Sequence, residues 1–298
     1  MKRRILLSAL SALSIVAVGT MTTSCSMVSQ AISSVRSIDM SQYPGLSLVS
    51  KAQDGMMETY GQSTKLILES RLAAVDALVL DAEAVAANEK AGDVYEDAKK
   101  IAARGKEKQK LLKAQIQNIT NAQDLDGLSK AKEETDSVDK MVAEGYSLLS
   151  SATKSTNAKI AATNKKGDMY IAQSMQHQAE AARMIEKSYS LLQDAQIMEL
   201  QLAATAVAQS AIIVKSMEGA SALDKGLLAV QFRPILYFIT GLPGEFDDQN
   251  AVKAMWEQHS AQSNIKLNTK KIGSIKDVTV KAAEKLSDAV SLGSFGIF

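Results

Sequence analysis

Apolar residues recur three and four positions apart along most of this chain. Leu68, Leu72, Val75, Val79, Ala82 and Ala86 step by 4-3-4-3-4, with Glu69, Arg71, Asp76 and Glu83 between them. That spacing marks the seam of a helix packed lengthwise on another helix. Ile171, Met175, Gln178, Ala182, Ile185, Tyr189 and Leu192 keep the same alternation, interrupted by the polar Gln178. Val138, Val142, Gly145, Leu149 and Ala152 form a third such stretch. The pattern predicts an all-α fold, an elongated bundle of long amphipathic helices with coiled-coil-like seams. Small seam residues let helices approach closely, but each alanine buries little area, so stability is expected to spread along the seams.

Glycine and polar clusters set the expected boundaries. A first helix runs from about Leu46 to Asn88 or beyond, with Gly92 and Gly105 as candidate breaks. Asn118 to Gly127 and Ser155 to Asp168 read as turns, and Met217 to Gly226 as a connection between helices. Gly241-Leu-Pro-Gly244 is the firmest break after the N-terminal region. Asp247 or Asp248 then caps a helix through Trp256 and His259, and a last helix covers about Asp277 to Leu292. One internal echo stands out. Lys140-Met-Val-Ala-Glu-Gly-Tyr-Ser-Leu-Leu149 resembles Arg183-Met-Ile-Glu-Lys-Ser-Tyr-Ser-Leu-Leu192, by duplication or by shared packing demands.

The most unusual region after residue 45 runs from Leu200 to Leu242. Leu202 to Val214 is interrupted only by Thr205, Gln209 and Ser210, and Leu227 to Leu242 carries Leu228, Phe232, Leu236 and Phe238. The two arms predict an apolar hairpin, broken in its second arm by Arg233 and Pro234. Ile212, Ile213, Leu227, Leu228, Phe232, Leu236 and Phe238 are its candidate contact residues, facing the bundle's own core, a protein partner or a membrane. Neither arm has the length of a comfortable span.

The N-terminus carries an address. Lys2, Arg3 and Arg4 precede an apolar run from Ile5 to Gly19, and Thr20 to Ser24 lead into Cys25, the single cysteine of the chain. Basic start, apolar run and small-residue cleavage site make a secretory signal. With the cysteine directly after it, the segment resembles the bacterial lipoprotein signal. Thr23 and Ser24 fit that pattern, while Thr22 stands where family members usually carry Leu. The resemblance covers about the first 25 residues. It implies removal of residues 1–24, diacylation of Cys25, typically with palmitate, and residence in the bacterial cell envelope. Ser26 lacks the aspartate that retains many lipoproteins in the inner membrane, so the outer membrane is the implied destination in a diderm cell. Competing readings are plain secretion with cleavage after Ala31, and a retained helix, for which about 15 apolar residues are short.

Four segments follow: a signal peptide (1–24), the acylated Cys25 with a serine-rich tether (25–45), a long-helix bundle (46–226), and an apolar segment with C-terminal helices packed on the same bundle (227–298).

Composition narrows the function classes. Without Lys2, Arg3 and Arg4 the chain keeps 31 basic against 33 acidic residues. Such a balance argues against nucleic acid as partner, which would favour a concentrated basic face. Aromatics make up 4% and there are three prolines, while Ala, Leu, Lys, Glu and Gln fill the long segments, a helix-forming palette. The two histidines, His177 and His259, lack the cysteine or carboxylate companions of a metal site. His177 reads as a surface residue despite Glu180 one turn on. Glu245, Asp247 and Asp248 lack the spacing of a calcium loop and read as helix caps. No phosphate loop or nucleophile elbow occurs. No catalytic residue, metal or cofactor is therefore assigned. The expectation is a non-enzymatic scaffold or adaptor, bound to a membrane through its lipid and to a protein partner or its own copies. Alternatives are a membrane-inserting or pore-forming protein using 202–242, and a binder of a small apolar ligand.

Overall fold

The computed structural model describes residues 42–43, 45–86, 93–119, 124–133, 136–162 and 168–291. The signal segment, Cys25, most of the tether and Gly92 lie outside them, as do the side chains of Ala152 and Ile171. In chain order the helices are α1 (Leu46–Ala86), α2 (Asp93–Ile119), α3 (Leu125–Glu133), α4 (Asp136–Ala162), α5 (Asp168–Glu218), α6 (Ala222–Gln231), α7 (Arg233–Thr240), α8 (Leu242–Ser263) and α9 (Ile275–Ser291). No strand occurs among the described residues. The all-α expectation holds.

These residues divide into two compact units. Of the described residues, one unit comprises those up to Gln53, Ala206–Ile239 and those from Val280 onward; the other comprises those within Asp54–Thr205 and Thr240–Thr279.

In the larger unit the central element is α1. Its seam residues Leu68, Val75, Val79 and Ala82 are buried, but so are Ile67, Ala73, Ala74, Ala77, Leu78, Ala84 and Val85. A helix covered on most of its circumference has neighbours on several sides, and a single two-helix seam understates it. Small residues set those approaches. A Cβ placed on Gly105 of α2 would sit 2.3 Å from Val79 Cγ2, and one on Gly145 of α4 would sit 2.7 Å from Leu78 Cδ1. Gly105 was expected to break a helix; it lies inside α2 because the contact with α1 needs a residue without a side chain. Helix α2 also packs on α3 and α4.

The echoed decapeptides lie on α4 and α5 and turn equivalent faces inward. Val142, Tyr146 and Leu149 are buried on α4, as are Ile185, Tyr189 and Leu192 on α5. The residue before each tyrosine meets α1: Gly145 touches Leu78, and Ser188 accepts Ser70 Oγ at 2.8 Å through its carbonyl. Nearer the start of α5, the expected seam is not realised. Met175 is 64% exposed and Gln178 is exposed as well.

In the smaller unit, the start of α1, the end of α5, α6, α7 and the end of α9 enclose an aliphatic and aromatic core. Leu46, Val49, Ile213, Leu228, Phe232, Ile235 and Phe238 are fully covered there. Burial of side chains this size stabilises by about 1.5–3 kcal/mol each. The expected hairpin takes the form of three helices. Ser221 caps α6 by accepting the Asp224 amide, and Gly226, expected in the connection, lies inside α6. Pro234 lacks the N–H that would continue the helical ladder, and the backbone turns at Phe232. At the start of α1, Gly45 adopts φ +91°, and a Cβ there would lie 3.2 Å from Ile212 Cγ2. Both the left-handed backbone and the crowding favour glycine.

Other boundaries moved. Residues 155–162, expected in a turn, continue α4. The break at 241–244 narrows to Gly241, since Leu242 already starts α8 and Pro243 occupies its first turn, where a missing N–H costs nothing. Gly241 is the N-cap, with no side-chain cap, so neither Asp247 nor Asp248 caps this helix.

Candidate functional site

The densest polar chemistry lies inside the larger unit. Lys132 is 7% exposed near the end of α3, in helical phase with Leu125 and Leu128. Its Nζ donates to Glu199 Oε1 of α5 at 2.6 Å and to Glu245 Oε2 of α8 at 2.5 Å, and lies 4.3 Å from the centre of the Tyr60 ring of α1. Glu199 is fully buried and also accepts from Ser63 Oγ at 2.9 Å and from Gln249 Nε2 at 2.7 Å. Tyr60 donates to the second oxygen of Glu245 at 2.9 Å. One ammonium thus ties α1, α3, α5 and α8 together.

Burial by itself would pull the Lys132 ammonium down; Glu199 and then Glu245 outweigh it and hold it raised. A lysine kept protonated between two carboxylates is neither a nucleophile nor a base. Its charge neutralises carboxylates that would otherwise be stranded away from water. The expected capping role of Glu245 is therefore corrected: it completes a buried ion network. Asp247 reaches outward instead, at 2.5 Å from Lys276.

Further polar ties repeat along α1. Arg71 donates to Asp139 of α4 at 2.7 Å. Tyr146 donates to Asp81 at 3.0 Å, and burial pushes the Asp81 carboxyl up to about 7 against the lowering effect of that bond. Tyr146 also stacks edge-on with Trp256, ring centres 5.5 Å apart, and lies 4.3 Å from the His259 ring. Burial lowers His259. Tyr189, the echo of Tyr146, donates to Glu257 at 2.6 Å. His177, expected on the surface, is half-buried, with its Nδ1 covered and without a hydrogen-bond partner. Among the described residues, no three His, Cys, Asp or Glu side chains gather to hold a metal ion.

A second feature opens to solvent. A groove of about 430 Å³ runs between α8 and the non-helical segment before α9, lined by Asp247, Asn250, Lys253, Lys270, Lys271 and Lys276 among others. Gln193 of α5, fully buried, holds that segment through both ends of its amide: Nε2 donates to the Asn268 carbonyl at 2.8 Å, and Oε1 accepts the Lys270 amide.

Of the residues singled out in 202–242, Ile213, Leu227, Leu228, Phe232 and Phe238 are buried in the smaller unit, while Ile212 and Leu236 are half-buried. Cys25 lies outside the described residues. Ser174–Glu218 is, by length and composition, apolar enough to cross a bilayer, although a third of its most apolar window is buried.

Lys132 and Glu199 were not among the expected site residues, yet each carried a signal. Glu199 continues the seam from Tyr189 and Leu192 through Gln196, and Lys132 falls on the Leu125–Leu128 stripe. A charge at a seam position marks a buried partner of opposite sign. The groove carried a weaker one, because its lysines are close in sequence only from 270 to 276.

No protein-family model matches the chain, and no curated protein or solved structure shows a significant match to it.

Proposed function

We propose that this protein is a lipid-anchored, non-enzymatic helical body of the bacterial cell envelope, a scaffold or adaptor toward a protein partner or its own copies. The observation that carries the reading is Cys25 placed after a basic start, an apolar run and the short stretch Thr20 to Ser24. A diacylated cysteine supplies membrane residence, and a third acyl chain on its amino group would make it durable. In a diderm cell Ser26 favours the outer membrane. The Lys132 network supports the non-enzymatic part, since its ammonium is held charged between Glu199 and Glu245. The test is fractionation of cells that express the Cys25→Ser variant. It is expected to accumulate as an unprocessed or mislocalised precursor, and normal processing with release would sink the lipid-anchor reading.

Membrane insertion is the second reading, favoured by the apolar length of Ser174–Glu218. Against it stands the burial of Ile213, Leu228, Phe232 and Phe238 in the protein's own core. Dye-loaded liposomes separate the two when residues 26–298 are added without an acyl group. An intact dye load fits the tethered body. Leakage that a folded Leu236→Glu variant loses would make 202–242 a membrane effector.

A further inference from the structure

The geometry points to the groove between α8 and the segment before α9 as a binding site for a phosphate-bearing ligand, with Lys253 and Lys271 as its principal cationic contacts. The site lies wholly within the larger unit, and its test is independent of the anchor at Cys25.

The lysines of the groove are not equivalent. Lys276 and Lys270 are engaged by Asp247 and Asp194, each pair at 2.5 Å and well exposed. Among the described residues Lys271 pairs with no carboxylate. Lys253 is half-buried; its Nζ reaches only the neutral amide oxygen of Gln196, at 3.0 Å, and lies 5.9 Å from the centre of the Tyr189 ring. Burial lowers the Lys253 ammonium, with the carboxylate of Glu257 opposing. Among the described residues Lys253 makes no direct ion pair, Glu257 acting on it only through space, and a bound anion would relieve the cost of its partial desolvation. Asn250 offers a further polar side chain, although its Oδ1 already accepts from Gln196.

The backbone is prepared as well. Gln193 fixes positions 268 and 270, so Lys271 projects from a segment held by a core residue. Ile275 and Lys276 open α9, a helix of 17 residues, and line the groove with its positive end. Asp277 in the same turn opposes part of that field. Lysine ammoniums act as compact point charges, suited to the several oxygens of a phosphate. The volume exceeds one phosphate ion and falls within the range of small-ligand sites, about 300–1,000 Å³, which suits a phosphorylated polyol or sugar.

Calorimetric titration of the full chain, kept in a neutral detergent, tests the site with inorganic phosphate and glycerol 3-phosphate. The same protein is then melted in micelles with and without phosphatidylglycerol. Saturable 1:1 binding of the soluble phosphates assigns a free phosphoester. Stabilisation confined to the phosphatidylglycerol micelles assigns a lipid headgroup. In either case Lys271→Glu and Lys253→Met are each expected to weaken the effect at least tenfold. Lys266→Glu, on the same segment but outside the groove lining, should leave it within twofold. Absence of binding in both arms overturns the site. So does binding indifferent to Lys271→Glu, or equally sensitive to Lys266→Glu, because it would then follow surface charge alone.

Discussion

Lys132 shows how one charge inside a helical core is sustained. Its ammonium is matched by Glu199 and Glu245, and Ser63, Gln249 and Tyr60 occupy remaining carboxylate positions. Lys132→Ala would leave two carboxylates without their cation, one of them fully buried. A loss of about 3–5 kcal/mol in unfolding free energy is expected from urea titration at pH 7. Asp81 makes the opposite case, a carboxyl that the fold prefers protonated. Its value of about 7 lies above the usual carboxylate range. Its stabilisation is therefore complete below about pH 4 and declines as pH rises to about 7, by up to about 4 kcal/mol. Asp81→Asn should flatten that part of the stability–pH curve, and urea midpoints between pH 4 and 8 would show it. An unchanged slope would mean that Asp81 keeps an ordinary carboxylate value. At this scale the sequence was only partly legible. Lys132 and Glu199 sit in apolar helical phase, but their partners lie 67 and 113 residues from Lys132, beyond the reach of local spacing.

At the scale of elements, close approach to α1 is the recurring device. Gly105 and Gly145 mark where α2 and α4 come near it, and Ser188 does the same for α5. Gly105→Ala is expected to destabilise by about 1–3 kcal/mol, because the new methyl would collide with Val79, whose branched side chain is stiff. Gly55→Ala serves as the contrast. It lies in the same helix-forming context with open space around its Cβ, and should stabilise by about 0.5–1 kcal/mol. Thermal melts of the two variants moving in opposite directions would support the packing account; a neutral Gly105→Ala would count against it. The start at Leu46 was read well, after Pro44-Gly45, while the last helix, expected from about Asp277, starts at Ile275. Helix ends were read poorly where tertiary contact decides. Glycine in a pattern signals a break or an approach equally, and only the neighbour tells which. The same holds for the seam of α1, where 3-4 spacing identified a helix but not the number of helices around it.

For the whole molecule, the all-α class followed from periodicity and composition, and the helices of the structure agree with it. The division into two units did not follow, because it groups segments far apart in the chain, with α1, α5 and α9 each contributing to both units. The larger holds buried ion pairs and a lysine-lined groove, and the smaller an apolar core that absorbs much of 202–242. The sequence adds an N-terminal segment with the features of an acylation signal. The proposed role rests on that segment, so the mass of the N-terminal peptide from membrane-derived protein is its most direct measure. The account predicts a peptide that begins at Cys25 and carries diacylglycerol, lost in Cys25→Ser. A peptide that begins elsewhere, or an unmodified Cys25 thiol in released protein, would contradict it.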